Sequence, residues 1–330
     1  MAIVQLNNAK TFEIKDAMSI LDAAGVAGLA LDHSCRTGRC GTCKAEVLDG
    51  TTIPIRSEES LSAGDAAAGF ILTCARTAET DIKLDIEDLG ALANIKVKTL
   101  PSRISSIDKP APDVVKVMLR MPPNNGFACL PGQYIDVIGK AGVRRSYSIA
   151  NAVEAGGQIE LHVREVEGGV LSQYWFGEAK ANDLLRFEGP RGTFFMRDVT
   201  GKDVVFLATG TGIAPVKAML EGMAASGEAA KAKSISVYWG GRVAADMYWK
   251  PEVAGVNLSF HAVLSRAGDD WGGLRGHVQD NLLHAKPDLA NAVVYACGSM
   301  AMIESAKTAL TAAGLPPKKF YSDAFVSSSV

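Results

Sequence analysis

The stretch Ser34-Cys35-Arg36-Thr37-Gly38-Arg39-Cys40-Gly41-Thr42-Cys43 constrains this chain more than any other. Four residues separate its first two cysteines, two separate the second from the third, and Cys74 follows after thirty more. The pattern suits a [2Fe-2S] cluster: a loop of that spacing wraps one edge of a flat, doubly bridged iron pair, and the last thiolate closes the far iron. Gly38, Gly41 and Thr42 keep bulk away, which lets backbone N–H groups point at sulfur. Zinc is the competing metal, but zinc sites use paired Cys-x2-Cys units or closely spaced histidines, and neither occurs here. A disulfide pair and unlinked core cysteines are the remaining readings of the same thiols.

A chain of 330 residues allows two or three domains. Hydrophobic residues at 48% and charged residues at 21% describe a globular protein with enough apolar side chains for several cores. No run of eighteen apolar residues occurs, and Met1-Ala-Ile-Val-Gln5 carries no basic region ahead of an apolar one. The expectation is a cytoplasmic, monomeric protein, neither exported nor inserted in a membrane. Only Cys129 and Cys297 remain outside the cysteine pattern, too few for a secreted disulfide scaffold. A net charge of −2 argues against nucleic acid as a partner. The charge is uneven, however: residues 1–90 carry 8 basic and 14 acidic side chains, a net −6, and the remainder a net +4. An acidic front portion suits docking on the basic remainder or on an outside protein, and solvating surface charge explains the same numbers.

Ile3–Leu6 and Thr11–Lys15 read as a hairpin, and Ser19, with Asp22 three residues on, as the N-cap of a helix. After the cysteine loop come a strand through Ala45–Leu48, an Asp49-Gly50 turn and a strand alternating Ile82, Leu84 and Ile86. Residues 91–101 lose periodicity and read as a linker. From 102 to 198, short alternating segments (Val115/Val117/Leu119, Tyr134–Ile138, Ile159–Arg164, Leu184–Met196) are divided by turns such as Gly156-Gly157, the texture of a small antiparallel barrel. From 199 to 330 the strands become continuous apolar runs, Val204–Ala208, Ile235–Trp239, Phe260–Leu264 and Val293–Ala296, with helical stretches between them. That alternation predicts a parallel sheet covered on both faces by helices.

Chemistry in the later segments gathers at strand ends. Arg145-Ser146-Tyr147-Ser148 closes one barrel strand, and His162-Val163-Arg164 ends another. Gly168-Gly169-Val170-Leu171-Ser172 opens a helix, where N–H groups favour phosphate. Gly210-Thr211-Gly212-Ile213-Ala214-Pro215 follows a buried strand and opens a helix, the context of a nucleotide-binding turn; Pro215 stands where a third glycine is usual, a place proline tolerates in a first helical turn. Cys297-Gly298-Ser299 follows another buried strand, where α/β sheets place ligand groups, although a buried small apolar role explains Cys297 too.

Taken in order, these motifs resemble the ferredoxin–NADP reductase superfamily, in the fusion order of oxygenase reductase components. Arg144-Arg-Ser-Tyr-Ser-Ile-Ala-Asn151, Tyr295-Ala-Cys-Gly-Ser299 and Tyr321-Ser-Asp-Ala-Phe325 are similar to the CDP-deoxyglucoseen reductases of dideoxysugar synthesis. The resemblance implies three domains: a plant-type [2Fe-2S] ferredoxin of β-grasp fold (α+β) at 1–90, an antiparallel β-barrel that binds FAD at 102–198, and an α/β doubly wound NAD(P)-binding domain at 199–330. It implies hydride transfer from NAD(P)H to FAD, then single electrons through the cluster to an acceptor protein. A terminal oxygenase is the acceptor that the domain order favours, and a deoxysugar dehydratase the alternative.

By motif, Cys35, Cys40, Cys43 and Cys74 would ligate iron. Arg145 would neutralise the flavin pyrophosphate, Tyr147 would lie on the isoalloxazine, Ser148 would bond near N5, Ser146 and Val163 would make further flavin contacts, and Gly169, Val170 and Ser172 would hold phosphate. His162 reads as structural or as a flavin contact. Gly210, Thr211, Gly212, Pro215, Cys297 and Gly298 would flank the nicotinamide nucleotide, with Arg164 and Arg242 as further cofactor contacts. Cys297 and Asp323 would serve the reacting centre with Ser148, and Phe325 would cover the ring face. Ser265, Arg266 and Arg275 would read a ribose 2′-phosphate, for which a planar guanidinium is well suited.

Overall fold

The cysteine loop hangs from a small mixed sheet. The computed structural model describes residues 1–15, 18–92, 94–154 and 157–325. Ala93, in the expected linker, Gly156, in the expected Gly156-Gly157 turn, and 326–330 lie outside the described residues. The described chain parts into two compact units, Met1–Ile95 and Lys96–Phe325. In the first, β1 (Ala2–Leu6) and β2 (Thr11–Ile14) form the expected antiparallel hairpin, with Ala2 opposite Ile14. Ser19 Oγ accepts from the Asp22 N–H at 3.0 Å and starts α1 (Ile20–Val26), whose buried face is Ile20, Leu21, Ala23 and Ala24. There follow β3 (Lys44–Asp49), β4 (Thr52–Pro54), α2 (Ala63–Ala67), β5 (Phe70–Leu72), β6 (Arg76–Ala78) and β7 (Ile82–Leu84). The main sheet runs β2-β1-β7-β3-β5, with β7 parallel to β1. Val4, Leu6, Phe12, Leu72 and Leu84 share one core with α1, and Cys43 and Cys74 belong to it. This is the β-grasp of the expected ferredoxin domain.

The second unit begins with an antiparallel barrel: β8 (Lys98–Ala111), β9 (Val114–Arg120), β10 (Tyr134–Ile138), β11 (Arg144–Ser148), β12 (Gln158–Arg164), α3 (Val170–Gln173) and β13 (Leu184–Arg191). Lys98–Pro101, expected as the end of a linker, are already strand and pair with β13, because Leu100 packs on the barrel core. The strand order is β11-β10-β13-β8-β9-β12, and a bridge from Ile149 to Leu161 brings the two outer strands together. Val117, Leu119, Ile135, Val137 and Phe187 fill the interior.

The rest is β14 (Asp203–Thr209), α4 (Ile213–Ser226), β15 (Ser234–Gly241), β16 (Ser259–Leu264), β17 (Leu274–Arg275), α5 (Val278–His284), β18 (Ala292–Ser299), α6 (Met300–Ala312) and β19 (Phe320–Phe325). All six strands run parallel in the order β17-β16-β15-β14-β18-β19. On β14, Val204, Phe206 and Ala208 join the core of α4, while Val205 and Leu207 are buried on the opposite face. The sheet is therefore covered on both sides, as its apolar runs require. Its order reverses at β14, the place where such folds open a crevice beyond the strand ends. Among the described residues, no helix is long and apolar enough to cross a membrane.

Candidate functional site

The cysteine loop is shaped by a glycine and tethered by its neighbours. Gly38 has φ +81°, and a Cβ there would sit 2.1 Å from the Ser57 carbonyl oxygen, so no larger residue fits. Arg56 Nη1 donates to the Arg36 carbonyl at 2.8 Å, and the Ser60 N–H to that of Gly38 at 3.1 Å. Both the N–H and the hydroxyl of Thr73 donate to the Cys43 carbonyl, which brings Cys74 beside Cys43. The thiols then form two adjacent pairs. The Cys40 thiol donates to the Cys35 sulfur, which pulls Cys35 down to about 4, and the Cys43 thiol donates to Cys74, lowering it likewise. The donor thiols Cys40 and Cys43 are correspondingly raised. N–H groups of Cys35 and Thr37 lie 3.4 Å from the sulfurs of Cys40 and Cys35. Cys74, the distant thiol of the pattern, thus has Cys43 as its neighbour. Among the described residues, no three His, Cys, Asp or Glu side chains converge as a cage for one metal ion. Two thiol pairs with N–H donors aimed at sulfur fit a two-iron cluster that takes two thiolates on each iron.

On β11, Arg145 and Tyr147 share one face and Ser146 and Ser148 the other. Ser146 Oγ donates to Asp136 Oδ1, directly across on β10, at 2.6 Å, so the sheet engages it away from Arg145 and Tyr147. The Tyr147 hydroxyl accepts from Trp175 Nε1 at 3.0 Å, and the two rings meet edge to face. Burial pushes Tyr147 up to about 12, keeping the phenol neutral. Trp175 is delivered by a π-helical turn, Tyr174–Glu178, that continues α3. Ser172 Oγ accepts from the Val166 N–H at 2.8 Å and folds the loop ahead of α3, where Gly169 is the N-cap and Val170 is exposed. Val163 is buried in the barrel core, leaving only its backbone for a ligand.

A cavity of about 590 Å³ opens beyond the ends of β14, β15 and β16. Thr209, Gly210 and Thr211 form one wall, Gly240, Gly241, Arg242 and Ser265 another, and Ser299 and Phe325 stand beside them. Two glycines let the chain segments meet there. A Cβ at Gly212 would lie 2.2 Å from the Cys297 carbonyl oxygen, and one at Gly298, φ +136°, 2.2 Å from Thr209 Oγ1. Thr209 Oγ1 accepts instead from the Ser299 N–H at 3.1 Å. Pro215 occupies the first turn of α4, as expected. Gln279 is 4% exposed, lines the cavity and donates to Ser305 Oγ at 3.0 Å, while its Oε1 is buried with no hydrogen-bond partner. An orphaned acceptor in a glycine-walled crevice at a strand-order reversal fits a nucleotide that brings its own donors.

The structure does not bring every expected residue to this cavity. Cys297 is 0% exposed within the α4 core, and burial raises its thiol well above the ordinary range. Asp323, opposite Cys297 on β19, is buried with it. Arg275 donates to the carbonyls of Ala267, Gly268 and Trp271 and clamps its own loop, and Arg266 is exposed outside the cavity lining. Phe325 is 38% exposed and does line it. Sequence reasoning missed Thr209, Gln279 and Asp246. Only Thr209, directly before the glycine turn, carried a signal, since the other two enter from loops and helices without a motif.

Three family models match in order: a 2Fe-2S iron-sulfur cluster binding domain over residues 4–79, an oxidoreductase FAD-binding domain over 101–196 and an oxidoreductase NAD-binding domain over 206–308. The chain is 42% identical to the CDP-6-deoxy-L-threo-D-glycero-4-hexulose-3-dehydrase reductase of Yersinia pseudotuberculosis, over 94% of each chain. It is 31% identical to reductase component 2 of terephthalate 1,2-dioxygenase from a Comamonas species, over 95% of this chain and 94% of that one. Among solved structures it is similar to the Amycolatopsis cytochrome P450 reductase GcoB, with a TM-score of 0.74 and 27% identity over 100% of both chains.

Proposed function

We propose, for a chain that belongs to the ferredoxin–NADP reductase superfamily in the branch with an N-terminal [2Fe-2S] domain, that its electrons leave for a sugar-nucleotide dehydrase. The protein is an NAD(P)H-dependent iron–sulfur flavoprotein oxidoreductase. When bound, FAD exchanges a hydride with nicotinamide and single electrons with the cluster, which lets a two-electron donor serve a one-electron chain. In this reading the four thiolates would hold the cluster, Cys35 beside Cys40 and Cys43 beside Cys74. Arg145 offers its charge to the flavin pyrophosphate, and Tyr147, fixed by Trp175, offers its ring to the flavin. Thr209–Gly212 and Ser299 seat the nicotinamide nucleotide, Arg242 and Ser265 take its far end, and Phe325 bounds the cavity. Cys297 supports the glycine turn from behind through its carbonyl, where Gly212 leaves no room for a side chain.

The observation that carries the choice of acceptor is the 42% identity to a dehydrase reductase across nearly the whole chain, against 31% to an oxygenase reductase component. A terminal oxygenase is the second reading, supported by that component and by the GcoB structure. NAD(P)H oxidation by the full chain is followed anaerobically with a purified CDP-6-deoxyhexulose-3-dehydrase and its substrate, and separately, with O2 present, with a terminal oxygenase and its substrate. Faster oxidation coupled to deoxygenated sugar nucleotide is expected. Coupling to the oxygenase alone would overturn the proposal in favour of the second reading.

A further inference from the structure

Strand β12 alternates strictly. Ile159, Leu161 and Val163 fill the barrel, so Glu160, His162 and Arg164 share the outer face. None of the three ends in solvent; each meets the α/β domain. Lys217 Nζ, on α4, donates to Glu160 Oε2 at 3.1 Å. His162 Nε2 lies 2.7 Å from Glu160 Oε1 and its Nδ1 3.1 Å from the Tyr248 hydroxyl. A carboxylate can only accept, so Nε2 donates to Glu160. Arg164 pairs with Asp113 in the barrel at 2.6 Å and approaches Asp246 Oδ1 at 3.5 Å, and its Nη1 occupies the space that a Cβ at Gly210 would need. Lys217 also donates to Glu221 Oε1 at 2.7 Å and to the Ala150 carbonyl at 3.1 Å, and Glu221 Oε2 accepts from the Ala152 N–H at 2.9 Å. The ring is closed and largely dry: side-chain exposure is 3% for His162 and 13% for both Glu160 and Lys217.

A buried ionic network adds little net stability over well-packed apolar residues, but a small displacement leaves its charges unpaired, so it tolerates one arrangement. α4 is also the helix that the Gly210–Gly212 turn opens. We propose that the Glu160–His162–Lys217 network, with Arg164 at its end, is a positioning seam that fixes the nucleotide turn against the barrel strand and thereby sets the reach of hydride transfer. The inference rests on the flavin and nicotinamide assignments above. Glu160, His162 and Lys217 are positioning residues, acting through α4 and β12 and not on the reacting atoms.

The test compares Glu160→Gln, Lys217→Met and Lys217→Arg in the FAD-loaded full chain. Glu160→Gln and Lys217→Met should retain FAD and leave the NAD(P)H KM within about twofold, because ground-state binding is untouched. Single-turnover bleaching of the flavin by NAD(P)H should slow by about tenfold or more, since misplacement by 1 Å can cost on the order of a hundredfold. The double variant should be no slower than the slower single one, and Lys217→Arg should recover most of the rate. In the flavin-free protein, amide exchange should rise in β12 and the first turns of α4 together in Glu160→Gln. Lowered thermal stability with an unchanged bleaching rate per bound flavin, or exchange that rises in one element only, would overturn the seam. If NAD(P)H fails to bleach the wild-type flavin at all, the functional reading itself falls, so the two failures are distinguishable.

Discussion

Arg242 stands at the end of β15, the second strand of the nucleotide fold, where such sheets read the ribose 2′-position: an acidic residue accepts from a hydroxyl, and an arginine accommodates a phosphate. Three arginines lie near this end, and the structure separates them. Arg275 is engaged by three carbonyls of its own loop, Arg266 lies outside the cavity lining, and Arg242 lines it with Ser265 beside it. A charge-assisted contact is worth about 1.5–3 kcal/mol, so Arg242→Ala should raise the KM for NADPH about ten- to a hundredfold. The KM for NADH should change little, and Arg266→Ala should spare both coenzymes. Steady-state kinetics with the two coenzymes decides the matter. An equal loss with both would move Arg242 onto the shared pyrophosphate and refute a 2′-phosphate role.

At the level of elements, the cysteine loop was the most legible part of the chain, because its chemistry lies within ten residues and one distant thiol. The hairpin, the Ser19 cap, β14 with its glycine turn, and the barrel strands were legible for a related reason: period-two and continuous apolar runs report burial directly. What periodicity cannot report is which element lies across the interface. Glu160 and Lys217 are 57 residues apart and look like ordinary surface charges in the sequence. Cys297 has the same local signature whether its thiol faces a ligand or a core, and it is the close approach of Gly212 to its carbonyl that settles the orientation of that segment. The Tyr321–Phe325 motif lies on β19, a full parallel strand beside β18, and this is what buries Asp323. The thiol pairs lead to a sharp outcome for the loop as a unit. Cys74→Ser should abolish most of the visible cluster absorption and lower iron content, because a hydroxyl does not replace a terminal thiolate ligand to iron. Cys297→Ser should leave both unchanged. Full iron and an unaltered spectrum in Cys74→Ser would remove the pairing of Cys43 with Cys74.

The whole molecule combines two units with separate cores, and the charge follows the same division: Met1–Ile95 carries a net −6 and the remainder a net +4. The first unit closes its own core around Val4, Phe12 and Leu72. In the second, the barrel and the α/β domain are joined through β12 and α4, and the chain enters the barrel at Lys98 with strand pairing already established. A chain beginning at Lys96 therefore loses no strand of the barrel and no wall of the nucleotide cavity, while it loses all four paired thiols. It should retain flavin and reduce ferricyanide with NAD(P)H at a rate near that of the full chain, since ferricyanide can collect electrons at the flavin. It should fail with the protein acceptor, whose route runs through the cluster, and the net −6 of the first unit is lost with the same residues. Measuring both acceptors on both chains separates the flavin step from the exit step. If the shortened chain reduced the protein acceptor as fast as the full one, the cluster would not be the exit, and the acidic unit would have to be explained in some other way.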